Sequence, residues 1–162
     1  MKALWAPWRM EYILASKGKL CFLCEAGFSN NSIASDKRHL VLKRGRWVFL
    51  IMNRYPYNNG HLMVAPYRHI ATLDKMNDDE MLEMMQMASL ACKKLKGIMR
   101  CDGFNVGFNL GKVAGAGLKE HIHLHIVPRW AGDTNFMPVI SDTKIIPQAL
   151  ESLWQQLYEH LK

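Results

Sequence analysis

The chain has 162 residues, of which 49% are hydrophobic and 22% charged, and its formal net charge is +7. That length suits one globular domain with a sizeable buried core, and no apolar run approaches the ~20 residues that a bilayer-spanning helix needs. The positive charge favours anionic partners, nucleic acid or small phosphates, and says nothing about fold. The basic residues fall in scattered pairs such as Lys43-Arg44 and Lys93-Lys94, which read as solvated surface.

The N-terminal stretch from Met1 to Tyr12 mixes Trp5, Pro7, Trp8 and Arg9 and has no signal-peptide core. The cytoplasm is therefore the expected compartment. Reduced thiols are expected for Cys21, Cys24, Cys92 and Cys101. The first 40 residues read as irregular, with a Ser- and Asn-rich loop from Gly27 to Ser35. Trp47 to Met52 is an apolar, β-rich run. Pro56 to Gly60 makes a turn, and His61 to Ala65 is a second strand closed by Pro66, so the two form an antiparallel hairpin with a longer loop.

Asn77 caps a helix with Asp78, Asp79 and Glu80 in its first turn and Lys93, Lys94 and Lys96 near its end, in the order the helix dipole favours. Met81, Met85, Ala88, Cys92, Leu95 and Met99 recur at three- and four-residue steps and predict its apolar face. Phe104 to Asn109 is a third strand, followed by a small-residue loop from Gly111 to Gly117. His121 to Val127 is another strand, stopped by Pro128. Pro147 opens a final helix with Leu150, Leu153, Trp154, Leu157 and Leu161 on one side. Hairpins and one main helix, rather than regular βαβ units, predict an α+β fold. Its expected parts are an antiparallel sheet of about five strands, one main helix and a C-terminal helix.

The run His121-Ile122-His123-Leu124-His125-Ile126-Val127 alternates without a break. Side chains two apart on a strand share a face, so three imidazoles line one surface while Ile122, Leu124 and Ile126 enter the core. Packing alone is a costly explanation, because each imidazole needs polar partners. Two chemistries remain open: a metal site, or phosphoryl transfer with imidazole as nucleophile. Imidazole is partly neutral at cellular pH and attacks phosphorus without prior activation. The glycine-rich loop before the strand suits phosphate, although it lacks the Lys-Ser/Thr ending of a P-loop. Cys21-Phe22-Leu23-Cys24 is a C-x-x-C, which by itself fits either redox chemistry or half of a zinc site.

The histidine run, with Pro128-Arg129, Asn109-x-Gly111-x-x-Ala114-Gly115, Asn53 and Gly60-His61, resembles the signature of the histidine triad superfamily. The resemblance covers about residues 21 to 135. It implies one domain over 1–162, with an extension at 1–20, a core at 21–135 and a C-terminal helix at 146–162. Trp5-Ala6-Pro7-Trp8-Arg9 and Gly132-Asp133-Thr134-Asn135-Phe136-Met137-Pro138 look like the diadenosine tetraphosphate phosphorylase branch, related to the fragile-histidine-triad hydrolases.

By that resemblance His123 is the nucleophile and forms a nucleotidyl-histidine intermediate. His125 contacts the α-phosphate or the scissile oxygen, and His61 completes the cluster. Asn53 reaches the ribose hydroxyls and Asn109 the phosphates. Related branches carry Gln and then Ser or Thr after the Ala-Gly pair, whereas this chain has Ala116 and Gly117. The implied phosphate contacts there come from the backbone of Gly115, Ala116 and Gly117. The resemblance further implies a structural zinc on Cys21, Cys24, His69 and His121, and a homodimer with a continuous sheet. The implied substrate is a dinucleoside polyphosphate, with inorganic phosphate or water as acceptor, and Arg129 and Lys119 are candidate neighbours of that acceptor. A nucleoside phosphoramidase and a nucleotide-binding signalling module are the alternatives. Neither a nucleic-acid partner nor a membrane is expected, since no base-stacking platform or reading helix is apparent.

Overall fold

The structure, a computed structural model, describes residues 21–133 and 148–161. The N-terminal segment, the stretch from Thr134 to Pro138, and Pro147 as the start of the last helix lie outside the described residues.

Two short helices come first, where an irregular segment was expected: α1, Phe22–Gly27, and α2, Ile33–His39. Ser32 caps α2 by accepting from the Ser35 N–H, and α2 ends at Leu40 in a left-handed conformation. The five strands are β1 (Val41–Arg44), β2 (Val48–Met52), β3 (Leu62–Pro66), β4 (Gly103–Phe108) and β5 (Leu124–Arg129). They form one antiparallel sheet in the order β1-β2-β3-β5-β4. This is the expected α+β architecture, with β1 added. Its buried pair Val41 and Leu42 is too short a run to announce a strand.

The long helix α3, Asp78–Met99, carries a complete capping box. Asn77 accepts from the Glu80 N–H, and Glu80 accepts from the Asn77 N–H. Its buried face is Glu80, Met84, Met87, Ala88, Ala91 and Leu95, which keeps Ala88 and Leu95 of the predicted stripe and leaves Met81 and Met85 exposed. Apolar residues occur on several sides of this helix, so periodicity alone did not select the face. The buried Glu80 carboxylate does so, fixed by the guanidinium of Arg68 at 2.7 Å. The last helix, α4, Leu150–Leu161, buries Leu153, Trp154, Leu157 and Leu161. Each such side chain contributes roughly 1.5–3 kcal/mol of burial. The Trp154 indole N–H donates to the Val41 carbonyl at 2.9 Å.

Two boundaries differ from expectation in a way that matters for the site. β5 begins at Leu124, so His121 and His123 precede the ladder rather than lying in it. Pro128 does not stop the strand; it pairs with Phe104 of β4. The Arg129 carbonyl accepts from Asp102 on the β4 side. Pro128 therefore faces the other side, where pairing with β3 has ended at Ile126. Its missing N–H is needed by no strand there, and its carbonyl accepts from the Asn58 side chain at 3.0 Å.

Candidate active site and metal centre

The three alternating histidines share a face as expected, and all three are largely buried. His121 is fully buried, and His123 and His125 are each 8% exposed. Ile122, Leu124 and Ile126 enter the core as expected. The histidines divide between two clusters that meet at His121.

The first cluster joins α1 to the sheet. Cys21, at the N-cap of α1, places Sγ 3.3 Å from His121 Nδ1. Cys24, one turn on, places Sγ 3.2 Å from His69 Nδ1 and 3.5 Å from His121 Nδ1. The four ligand atoms lie within 4.8 Å of one another. His121 Nε2–H donates to the Pro66 carbonyl at 2.9 Å, which leaves the Nδ1 lone pair facing the sulfurs. Burial, and then the neighbouring Cys21, push the Cys24 thiol up to about 11.

The second cluster has a hydrogen-bond direction that can be read from one end. The Tyr57 backbone N–H is a fixed donor, and it donates to His61 Nδ1 at 3.0 Å. His61 therefore carries its proton on Nε2, and this donates to His125 Nδ1 at 2.9 Å. His125 in turn presents Nε2–H outward. Its neighbour there, at 3.5 Å, is the Asn109 amide nitrogen, which is also a donor. His123 is oriented independently. Its Nδ1–H donates to the His121 carbonyl at 2.8 Å, so its Nε2 holds a free lone pair.

Burial lowers all of these imidazoles. His61 falls to about 3, through burial first and then the nearby His125 and His123. His125 falls to about 4, through burial and then His123. His123 is lowered by burial, against the His121 carbonyl that raises it. At neutral pH the cluster therefore offers an unprotonated nucleophile beside neutral donors.

The remaining expected residues are placed as follows. Asn53 folds onto its own turn, with Nδ2 3.3 Å from His61 Nδ1 and Oδ1 accepting from the Tyr55 N–H at 2.8 Å. Gly111 and Gly115 adopt positive φ of 83° and 85°. The Gly115 and Ala116 N–H groups donate to the carbonyls of Lys112 and Gly111, so these two amides close the loop on itself. Gly117 lies in the same loop. Lys119 is exposed and sits 3.9 Å from Glu120. Arg129 is at the far end of β5 from the histidines. Its guanidinium is engaged by Asp133 at 2.6 and 2.8 Å and by Asn105 at 2.8 Å, so it is not a neighbour of the histidine cluster.

Tyr57, which nothing in the sequence singles out, lies against this cluster. Its ring centroid is 4.7 Å from that of His61 and 5.7 Å from that of His125. Its hydroxyl accepts from the Asn109 amide at 3.5 Å.

An antiparallel α+β sheet whose strand β5, between β3 and β4, is entered through three aligned, neutral histidines defines the histidine triad class of fold. The HIT domain model matches residues 36–132, more than half the chain, and the chain belongs to that family. Over 154 residues it is 43% identical to the AP-4-A phosphorylase of Mycobacterium tuberculosis, covering 93% of this chain and 79% of that one. Among solved structures it shares its fold with a hypothetical histidine triad nucleotide-binding protein of Sulfolobus tokodaii. That match has a TM-score of 0.66 and 22% identity, over 87% of this chain and 91% of that one. A zinc-bound histidine triad family protein of Mycobacterium smegmatis matches with a TM-score of 0.61 and 23% identity, over 75% of this chain and 83% of that one.

Proposed function

We propose that this chain is an enzyme that cleaves dinucleoside polyphosphates, diadenosine tetraphosphate among them, at an α-phosphate, and that inorganic phosphate is the acceptor. The observation that carries the reading is the free lone pair of His123 Nε2, set beside a histidine that presents N–H. In the first step that lone pair forms an N–P bond. The bond from the α-phosphorus to the bridging oxygen breaks, and its electron pair leaves with the nucleoside triphosphate. His125 Nε2–H and the Asn109 amide donate to the phosphate oxygens as charge builds on them. His123 keeps its Nδ1–H on the His121 carbonyl throughout, so the imidazole needs no base. In the second step an oxygen of inorganic phosphate attacks the same phosphorus. The N–P pair returns to Nε2, and a nucleoside diphosphate is released. The resemblance to the phosphorylase of M. tuberculosis supports this choice of acceptor.

Cys21, Cys24, His69 and His121 would hold one zinc ion. Tetrahedral bonds of about 2.0–2.3 Å imply ligand-to-ligand edges of roughly 3.3–3.8 Å. Three of the four sulfur-to-nitrogen separations, at 3.2–3.5 Å, are close to that size, and all four ligand atoms lie within 4.8 Å of one another. Bound there, zinc supplies a closed four-ligand clamp without an open position for water. His121 would thus serve the metal with its ring and His123 with its carbonyl. Thiolate ligands of this kind persist in a reducing compartment such as the cytoplasm.

The strand β4 is a sheet edge with exposed Asn105, Val106 and Gly107, an arrangement that invites pairing. A homodimer with the sheet continued through β4 follows from the resemblance, and sedimentation equilibrium tests it.

Product analysis tests the activity. From diadenosine tetraphosphate, ADP should form in proportion to added phosphate and exceed AMP at millimolar phosphate. AMP as the main product at every phosphate concentration would make the protein a hydrolase and leave His123 in its role.

A further inference from the structure

The turn between β2 and β3 holds Tyr57 rigidly. Asn58, next in the chain, is buried and donates to the Pro128 carbonyl at 3.0 Å and to Asp133 Oδ2 at 2.8 Å. Gly60 closes the turn at φ 74°, where a Cβ would come within 2.6 Å of Met99 Sδ. Between these anchors the Tyr57 backbone orients His61, as described above. The phenol ring lies across His61 and His125 yet stays 53% exposed, so its hydroxyl faces the open side of the histidine cluster.

The hydroxyl already accepts a hydrogen bond from Asn109 Nδ2 at 3.5 Å. Its own proton is therefore turned elsewhere. That same amide nitrogen is 3.5 Å from His125 Nε2. Three donors thus converge: His125 Nε2–H, the Asn109 amide and the Tyr57 O–H. Donors that converge in this way call for an anionic oxygen between them.

The geometry points to Tyr57 as a ligand of the acceptor phosphate, the residue that favours phosphate over water. This rests on the two-step reading above. In a double displacement at one histidine, the acceptor enters from the side that the leaving phosphate vacated. Asn109 meets His125 at Nε2, the ring nitrogen turned away from His61, and the Tyr57 ring spans both histidines so that its hydroxyl meets the same Asn109 amide. Asn109 and Tyr57 are thus placed to hold the leaving polyphosphate in the first step and inorganic phosphate in the second. Water makes far fewer demands on such donors, so hydrolysis depends on them less. No bond to Tyr57 forms or breaks; its hydroxyl donates a hydrogen bond and keeps its proton.

The test compares Tyr57→Phe with the parent enzyme on diadenosine tetraphosphate, with inorganic phosphate varied and ADP and AMP measured separately. The variant keeps the ring against the histidines and loses only the hydroxyl. The KM for phosphate should rise about tenfold and the ratio of ADP to AMP at millimolar phosphate should fall by a similar factor, since any loss in the shared first step lowers both products alike. An unchanged phosphate KM, or equal losses on both routes, would overturn the assignment. A parent enzyme that releases only AMP would overturn the phosphorolysis reading itself, and this is read from the parent before the variant is considered. If Tyr57→Phe fails to fold, the parent with ring-labelled tyrosine is titrated with inorganic phosphate. The Tyr57 resonance, assigned by its contacts with His61 and His125, should move to saturation. A resonance that stays still sinks the proposal.

Discussion

His121 and His123 stand two residues apart on one face of the chain, yet the structure leaves opposite ring nitrogens open on them. The His121 ring turns its Nδ1 lone pair to two sulfurs and is locked by the Pro66 carbonyl. The His123 ring is locked at Nδ1 by the His121 carbonyl and leaves Nε2 free. In each case a backbone carbonyl decides which nitrogen keeps its lone pair. The metal-type cluster is closed by side chains from α1, the segment after β3 and the entry to β5. The second cluster is built from neutral donors with one side open. Identical side chains two residues apart therefore present different ring nitrogens through the carbonyls behind them.

The sharpest break of that comparison is His123→Ala. Turnover should fall by at least a thousandfold, while affinity for a non-cleavable nucleotide analogue stays within about tenfold, or about 1.4 kcal/mol. Steady-state rates and calorimetric titration check both halves. A variant that retains a tenth of parental turnover would refute covalent attack by this residue.

On the metal side, purified protein should contain about one zinc per chain by elemental analysis. Cys24→Ser should lower the melting temperature by at least about 10 °C, since structural zinc contributes folding energy directly. The chemistry at His123 should suffer less, measured at a temperature where the variant is folded. A metal-free preparation of equal stability and activity would contradict the division of labour between the clusters.

Acid should separate the clusters further. His61 and His125 have folded values of about 3 and about 4, against an ordinary 6.5. The unfolded chain therefore binds more protons than the folded one between those limits. Stability is fully present above pH 6.5 and is lost as pH falls toward 4 and then 3, by up to about 1.4 kcal/mol per pH unit for each histidine. Urea titrations at pH 7 and pH 5 should show this loss, and His61→Gln should make it shallower. An equal pH slope in parent and variant would assign the acid sensitivity to other groups.

The smallest effect is expected at Arg129. Its guanidinium is held by Asp133 and Asn105, so Arg129→Gln should change the phosphate KM by less than about twofold. A tenfold rise would place the acceptor at that end of β5 and remove it from Tyr57.

Much of this was legible along the chain. Alternation placed Ile122, Leu124 and Ile126 inside and aligned the histidines, because strand periodicity is a local property of the backbone. The capping residues of α3 were equally local, and the structure completes them as a capping box. The face of α3 was legible only in part, through Ala88 and Leu95. Its methionines lie on several sides, and the burial of Glu80 depends on Arg68, which packing brings to it from before the helix. Pro128 was misread for a related reason. A proline ends a strand only where its missing N–H is wanted, and the end of the β3 ladder decides that.

The sequence by itself determined the alternating histidines and the C-x-x-C, which are local patterns, and its resemblance to the histidine triad family implied the four candidate metal ligands. Only the tertiary structure decided which imidazole nitrogen is free. It also set aside Arg129 and brought Tyr57 to the edge of the cluster. Some of the contacts behind those outcomes are short in sequence, such as His123 with the His121 carbonyl and Arg129 with Asp133. Others join Pro66 to His121, His61 to His125 and Tyr57 to Asn109 across the chain. In both kinds the orientation of a side chain is set by packing, which no spacing pattern encodes.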